Sequence, residues 1–323
     1  MKSIRQAGIP IIDISPIYGL DERAKDKMAR EMYGAAQVYG FFGVSGHGIP
    51  CELIYDVYTQ SRKFFSQPIE RKLEVSNKRS PNMRGYFEIG DETPENEECG
   101  DLKEGFDLSG DLPLDDGDLT EGAWLYGPNQ WPVGMPAFKT TMTTYHEVMT
   151  QLAKEILSMF ARGLGKSDRF FDRFLKKPLA QLRLLRYPPA LTVGDGLGVG
   201  CGAHTDYGTI ALLLQDSPGL QMLGIDGEWV DIQVPPDTFV VNIGDLMARW
   251  TNDTLLANVH RVVNRQKRDR YSIAFFLDPD YNAKIECIDT CVADGQKPKY
   301  PPIIFGEYNN AKLDATFAFR KRK

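Results

Sequence analysis

Cysteine is scarce in this 323-residue chain: there are five, Cys51, Cys99, Cys201, Cys287 and Cys291, dispersed and without a CxxC pair. An odd, scattered set argues against a disulfide framework or a structural zinc site and fits a reducing compartment. Long apolar runs are missing as well. No stretch reaches the roughly 18 apolar residues that cross a bilayer. The opening MKSIRQAGIPIIDIS has no signal-peptide core. The expected location is the cytoplasm, with no membrane partner. Histidine is rarer still, with four residues, His47, His146, His204 and His260.

A basic patch suited to nucleic acid is also lacking, so no nucleic-acid partner is expected. The formal net charge is −6, yet its source is local. Between Glu88 and Glu121 lie fourteen Asp/Glu and one base, Lys103, leaving the remainder of the chain near +7. A solvated loop is the plain reading of this stretch; part of a lid favouring a cationic substrate is the other. Hydrophobic content of 42% and charged content of 25% are those of an ordinary globular protein.

Ile9, Ile11, Ile12 and Ile14 form a β-prone run, and FFGVSGHGIP reads as a strand broken by glycines. Met28, Met32, Ala35 and Tyr39 recur at helical spacing, as do Ile54, Val57, Ser61 and Phe64. Residues 76–134, rich in Gly, Pro and acids, read as long loops with short elements. From Pro136 a strong amphipathic helix carries Met142, Tyr145, Met149, Leu152, Ile156 and Met159 on one stripe and ends at Gly163–Gly165. After residue 180 short β-runs alternate with turns, at 182–187, 209–215, 220–223, 228–232, 238–243, 258–263 and 271–277. That rhythm indicates a mainly β fold with a sandwich or jelly-roll core. A helical and mixed N-terminal region (1–120) and a linker with the long supporting helix (121–178) are expected to wrap the core (179–285), followed by a C-terminal extension (286–323).

His204 and Asp206 stand in HTD, and alternate positions of an extended chain face the same side. A third ligand can come only from a distant strand, and His260 in NVHRVV is the other histidine of the β-region. Two imidazoles and a carboxylate make an open facial triad suited to iron(II), though zinc also accepts it. On its spacing alone, HTD reads more readily as a hydrogen-bonded turn. Ten residues past His260, Arg270, Ser272, Ala274 and Phe276 share one strand face. A buried guanidinium beside a hydroxyl demands a partner. A bound carboxylate fits the fork; an internal salt bridge to Asp245 or Asp278 is the competing reading.

These pieces together resemble the isopenicillin N synthase-like family of iron(II)/2-oxoglutarate oxygenases. HTD, HRVVN and RYSIAFF carry the resemblance, supported by YGFFGVSGHGIP, MRGYFE, LLRYPP, VVNIGDLMARWTND and FGEYNNAKLDATF across about residues 9–319. The resemblance implies a double-stranded β-helix (jelly roll, cupin-like) core, with iron on His204, Asp206 and His260. It places 2-oxoglutarate on Arg270 and Ser272, with Tyr187 adding a hydroxyl. On the substrate side it puts forward Phe276, Arg183 and Tyr86. For Phe276 core packing is the competing role, and for Arg183 a structural salt bridge. One departure stands out: Leu185-Arg186-Tyr187-Pro188 replaces the Asn-Tyr-Tyr-Pro usual in plant members, which puts one polar contact to the co-substrate in doubt. His47 reads as structural, and His146 as a surface or satisfied polar residue.

The activity implied is oxidation of an unactivated C–H bond of a small molecule with dioxygen and 2-oxoglutarate, releasing succinate and CO2, with ascorbate as a stimulant. Hydroxylation is the default, with desaturation or oxidative cyclisation as other outcomes and a monomer as the default state. Three alternatives stay open: an iron oxidase of the same fold that does not use 2-oxoglutarate, a non-catalytic small-molecule binder, and a zinc hydrolase, for which no general base is evident. The glycines at 194, 196, 198, 200 and 202 lack the helix and Lys-Ser/Thr of a phosphate loop and read as an entrance loop.

Overall fold

The computed structural model describes residues 8–92, 100–112, 124–189 and 199–316. The glycine-rich run at 194–198, Cys99 and the parts of the acidic stretch at 93–99 and 113–121 lie outside the described residues.

The N-terminal third alternates strand and helix: β1 (Ile11–Asp13), α1 (Glu22–Val38), β2 (Phe41–Ser45), α2 (Cys51–Phe65), α3 (Ile69–Leu73), β3 (Gly85–Phe87) and β4 (Glu104–Ser109). The long helix α4 (Pro136–Gly163) leads into β5 (Pro178–Tyr187), β6 (Val199–His204), β7 (Ile210–Gln215), β8 (Leu220–Leu223), β9 (Trp229–Asp231) and β10 (Phe239–Ile243). A short α5 (Asp245–Trp250) precedes β11 (His260–Val263) and β12 (Arg270–Asp280), and β13 (Lys284–Ile285), β14 (Ile303–Ile304) and α6 (Phe305–Thr316) complete the chain.

Helix starts follow local chemistry. The Asp21 carboxylate accepts from the free amides of Arg23 and Ala24 to open α1, and a proline in the first turn of α4 occupies a position whose N–H has no helical partner. The expected stripe of α4 is buried at all six positions, Met142 to Met159.

Eight strands form one sheet in the order β1-β2-β10-β7-β12-β5-β4-β3, and four form the facing sheet, β6-β11-β8-β9. This is the expected jelly roll. Alternation divides its residues between two apolar layers. Leu182, Leu184, Leu212, Leu214, Ile273, Phe275 and Leu277 face the helices in the large outer core. Leu185, Tyr187, Leu213 and Val240 face inward and meet Cys201, Leu220, Met222 and Val262 of the small sheet. The inner layer leaves room at one end, and there the site forms.

The N-terminal region is less separate than the sequence suggests. Its strands extend both edges of the large sheet: β2 pairs with β10, and β4 with β5. β4 carries Glu104 and Asp107 in a fully buried strand, so its composition hides it from a hydrophobic pattern. Among the described residues no helix is long and apolar enough to cross a membrane.

Candidate active site

His204 ends β6, Asp206 follows in the turn, and His260 opens β11 directly opposite His204 in the ladder. Their ligand atoms all lie within 4.8 Å of one another. Each histidine presents Nε2 to Asp206 Oδ1 at 3.7 Å. The other ring nitrogens are spoken for. His204 Nδ1 sits 2.8 Å from the Gly202 carbonyl, and His260 Nδ1 3.2 Å from that of Asn258. A ring whose Nδ1–H donates to a carbonyl keeps a lone pair on Nε2, the form a metal needs. Burial, reinforced by His204 nearby, pushes the His260 imidazole down to about 4, so it is neutral at pH 7. Asn242 Nδ2 donates to Asp206 Oδ2 at 2.5 Å and leaves Oδ1 turned toward the histidines. Phe41 packs edge-on against His260.

On the inner face of β12, Arg270 is wholly buried and Ser272 nearly so. Arg270 Nε donates to the Ser217 carbonyl at 3.2 Å and one terminal nitrogen to Gln215 Oε1 at 2.9 Å. Its guanidinium lies over the Tyr187 ring, 4.9 Å from the centroid. Among the described residues no carboxylate answers it, so neither Asp245 nor Asp278 supplies the salt bridge considered from sequence. Arg270 Nη1 is buried and meets no acceptor among the described residues, and Ser272 Oγ is buried against the Tyr187 hydroxyl. An unmet buried donor costs about 1–3 kcal/mol, and one carboxylate would take both. Tyr187 is opposite Arg270 in the ladder and is also buried. The strand β6 approaches it closely: a Cβ on Gly200 would come within 2.5 Å of the Tyr187 ring. Leu185, at the departure from the plant pattern, fills the inner apolar layer instead of offering a polar contact.

A cavity of about 210 Å³ opens beside the triad, lined by His204, Asp206 and Tyr207, by Gln181 and Arg183 of β5, and by Phe276 and Asp278 of β12. Phe276 therefore faces the cavity and is only half-buried. Arg183 reaches the cavity with its guanidinium engaged: it grips Asp107 through two bonds of 2.8 and 2.7 Å and Glu92 at 2.9 Å. Its salt-bridge role is thus the observed one. Tyr86 is placed elsewhere; its hydroxyl donates to Glu104, which also receives Lys72, and it is not among the residues lining the cavity. Asp278 accepts the Thr209 N–H at 2.6 Å and meets no cation among the described residues, and burial pushes its carboxyl up to about 7.

His47 and His146 stand apart from the triad. His47 Nε2 meets the Asp237 carbonyl at 2.7 Å, and His146 Nε2 the Ala180 carbonyl at 2.8 Å. Sequence reasoning missed Asn242, Gln181, and the Glu92, Asp101 and Lys103 group at the cavity wall. Asn242 was open to detection, since it alternates with Val240 on the inward face of β10.

Comparison with known proteins agrees with this geometry. Residues 9–134 match the family "non-haem dioxygenase in morphine synthesis N-terminal", and residues 179–279 the "2OG-Fe(II) oxygenase superfamily". The 2-oxoglutarate-Fe(II) type oxidoreductase hxnY of Emericella nidulans is 38% identical over 300 residues, covering 91% of this chain and 86% of the relative. Clavatol oxidase of Penicillium crustosum is 32% identical over 96% of this chain and 97% of its own. A full-length Neurospora crassa protein, solved with alpha-KG and thymine, superposes with a TM-score of 0.84 at 34% identity, over 95% of this chain and 96% of the other.

Proposed function

Because the chain belongs to the 2-oxoglutarate–iron(II) oxygenase superfamily, we propose that His204, Asp206 and His260 hold its iron and that Arg270, Ser272 and Tyr187 bind its co-substrate. The enzyme is a 2-oxoglutarate-dependent dioxygenase acting on a small molecule. Iron(II) with 2-oxoglutarate supplies the chemistry: oxidative decarboxylation to succinate and CO2, coupled to oxidation of a substrate C–H bond.

The observation that carries the residue assignment is the pair of buried donors that no carboxylate among the described residues meets, Arg270 Nη1 and Ser272 Oγ, together with the His204, Asp206 and His260 triad. A dicarboxylate would present one end to the pair and the other to the triad. The Arg270 fork and Ser272 hydroxyl take the far carboxylate, which fixes the distance of the other end from the triad. The pair alone would also suit a substrate carboxylate; the similarity to 2-oxoglutarate oxygenases favours 2-oxoglutarate over a same-fold oxidase that works without it. Burial holds His260 neutral at pH 7, the form in which it would bind iron. Asn242 holds the Asp206 carboxylate in its binding pose. Phe41 and the inner layer of Leu185, Val240 and Val262 keep water from that side.

The substrate side is the 210 Å³ cavity. Phe276 offers a ring face, and the Gln181 amide and Asp278 carboxyl offer polar contacts on its floor. This suits a small polar molecule, of the size that the Neurospora crassa neighbour holds as thymine. Hydroxylation is the simplest outcome. We take the enzyme to work as a monomer in the cytoplasm, without nucleic-acid or membrane partners and with ascorbate as a stimulant. The test is a screen of small polar compounds for succinate release, with product mass. A hydroxylase adds one oxygen per succinate, and succinate that never tracks loss of any compound contradicts the reading.

A further inference from the structure

Among the described residues the ligand strand β6 is an edge strand: in the four-stranded sheet it pairs with β11 alone. That pairing carries two register shifts between His260 and Val263. The ladder therefore holds β6 from one side only, up to His204, its last residue. The free edge of β6 meets residues from the acidic stretch. The Gly202 N–H donates to Asp101 Oδ1 at 2.8 Å, while the Gly202 carbonyl receives the His204 ring at 2.8 Å. Asp101 Oδ2 in turn accepts from Lys103 Nζ at 2.5 Å, and Lys103 also donates to Glu92 at 2.9 Å and to the Cys201 thiol at 3.1 Å. Lys103 thereby touches β6 itself, one residue before Gly202.

We propose that Asp101, gripped by Lys103, is a positioning residue that tethers β6 and so fixes the orientation of His204 toward the metal. The inference rests on the assignment of His204 as an iron ligand.

Three charges at this depth are costly to bury, with Glu92, Asp101 and Lys103 each about 4–6% exposed. Their geometry accounts for the placement. One carboxylate oxygen takes a backbone donor on the side of β6 where the described residues place no strand, and the other is locked by an ammonium. The buried Cys201 thiol gives Lys103 a direct contact with β6. Glu92 closes the arrangement on the far side, where it also binds Arg183. The group thus joins the cavity wall to the strand that bears His204.

Removing partners that orient metal ligands typically weakens metal binding about 10–100-fold. Anaerobic titration of the full-length protein with iron(II) alone, and then with 2-oxoglutarate added, tests this in wild type, Asp101→Ala and Asp101→Asn. Lys72→Met is the control, because it breaks a buried ion pair, Lys72–Glu104 at 2.6 Å, away from β6. The expected result is iron(II) affinity reduced about 10-fold or more in Asp101→Ala and less in Asp101→Asn, whose amide oxygen still accepts from Gly202. The visible band of the iron(II)–2-oxoglutarate complex should shift in both. Lys72→Met should lose thermal stability and keep wild-type affinity and band position. Should Asp101→Ala fail to fold, the isosteric Asp101→Asn decides. Folded Asp101 variants with affinity within twofold of wild type and an unmoved band overturn the tether, as does an equal loss of affinity in Lys72→Met. Wild type that binds no iron(II) overturns the metal assignment itself.

Discussion

Arg270 Nη1 and Ser272 Oγ sit two residues apart on one face of β12, both buried; among the described residues the first meets no acceptor and the second meets the Tyr187 hydroxyl. An unmet buried donor lowers the stability of the ligand-free protein. The opposing effects on folding and binding can be separated. Ser272→Ala is expected to leave the ligand-free protein close to wild-type stability, because within the protein the hydroxyl meets only that of Tyr187 among the described residues. The same change should weaken 2-oxoglutarate by about 1.5–3 kcal/mol, the worth of a hydrogen bond to a charged group. Thermal unfolding and calorimetric titration read the two quantities.

Arg270→Ala should cost more, about 2–5 kcal/mol of 2-oxoglutarate binding, as loss of a buried charge partner does. Arg270→Lys should recover only part of it, since the ammonium lacks the fork and the planar contact with Tyr187. KM for 2-oxoglutarate checks both, with iron affinity expected to stay near wild type.

Asn242→Leu removes the donor that turns Asp206 Oδ2 away from the metal. Iron(II) affinity should drop about 10–100-fold with the fold intact, measured by anaerobic titration beside circular dichroism. An unchanged affinity would show that Asp206 holds its pose without help.

Asp278 sets a pH dependence. Its carboxyl is raised from an ordinary 3.8 to about 7 by burial, so between these values the folded state holds more protons than the unfolded one. This contribution is fully present below pH 3.8 and is lost as pH rises through 7. The metal-free Asp278→Asn protein should therefore gain stability relative to wild type from pH 5 to pH 8. Paired melting curves across that window test it, and a difference that stays constant or reverses removes Asp278 as the cause.

Much of this was legible in the sequence because strand alternation is a strict rule. His204 and Asp206, and the row from Arg270 to Phe276, could be placed on common faces from spacing alone, and the long stripe of α4 fixed its own inner side. The acidic stretch resisted for a physical reason. Glu104 and Asp107 lie in a buried strand only because Lys72, Arg186 and Arg183 meet them from other segments. Such pairing is a tertiary fact that no local pattern encodes. Tyr86 was misleading in the same way: its family-like RGY context says nothing about its hydroxyl being engaged by Glu104. Asp101 was invisible as well, since its partner is the backbone of Gly202, about a hundred residues away in sequence.

Phe276→Ala should act on the substrate alone. Its ring faces the cavity and not the Arg270 end of the strand, so substrate KM and coupling are expected to worsen while 2-oxoglutarate binding holds. Succinate formed per substrate oxidised is the readout. A matching loss of 2-oxoglutarate affinity would place Phe276 in the wrong half of the site.

The central claim is that one triad and one strand face bind iron(II) and 2-oxoglutarate together. Anaerobic addition of both to the wild-type protein, followed by visible absorption, tests it most directly. The expected result is a charge-transfer band that is lost in His204→Ala, Asp206→Ala and His260→Ala and, at limiting 2-oxoglutarate, strongly reduced in Arg270→Ala. No band in wild type, or a band that survives any of the three triad changes or is unaltered by Arg270→Ala, would contradict it.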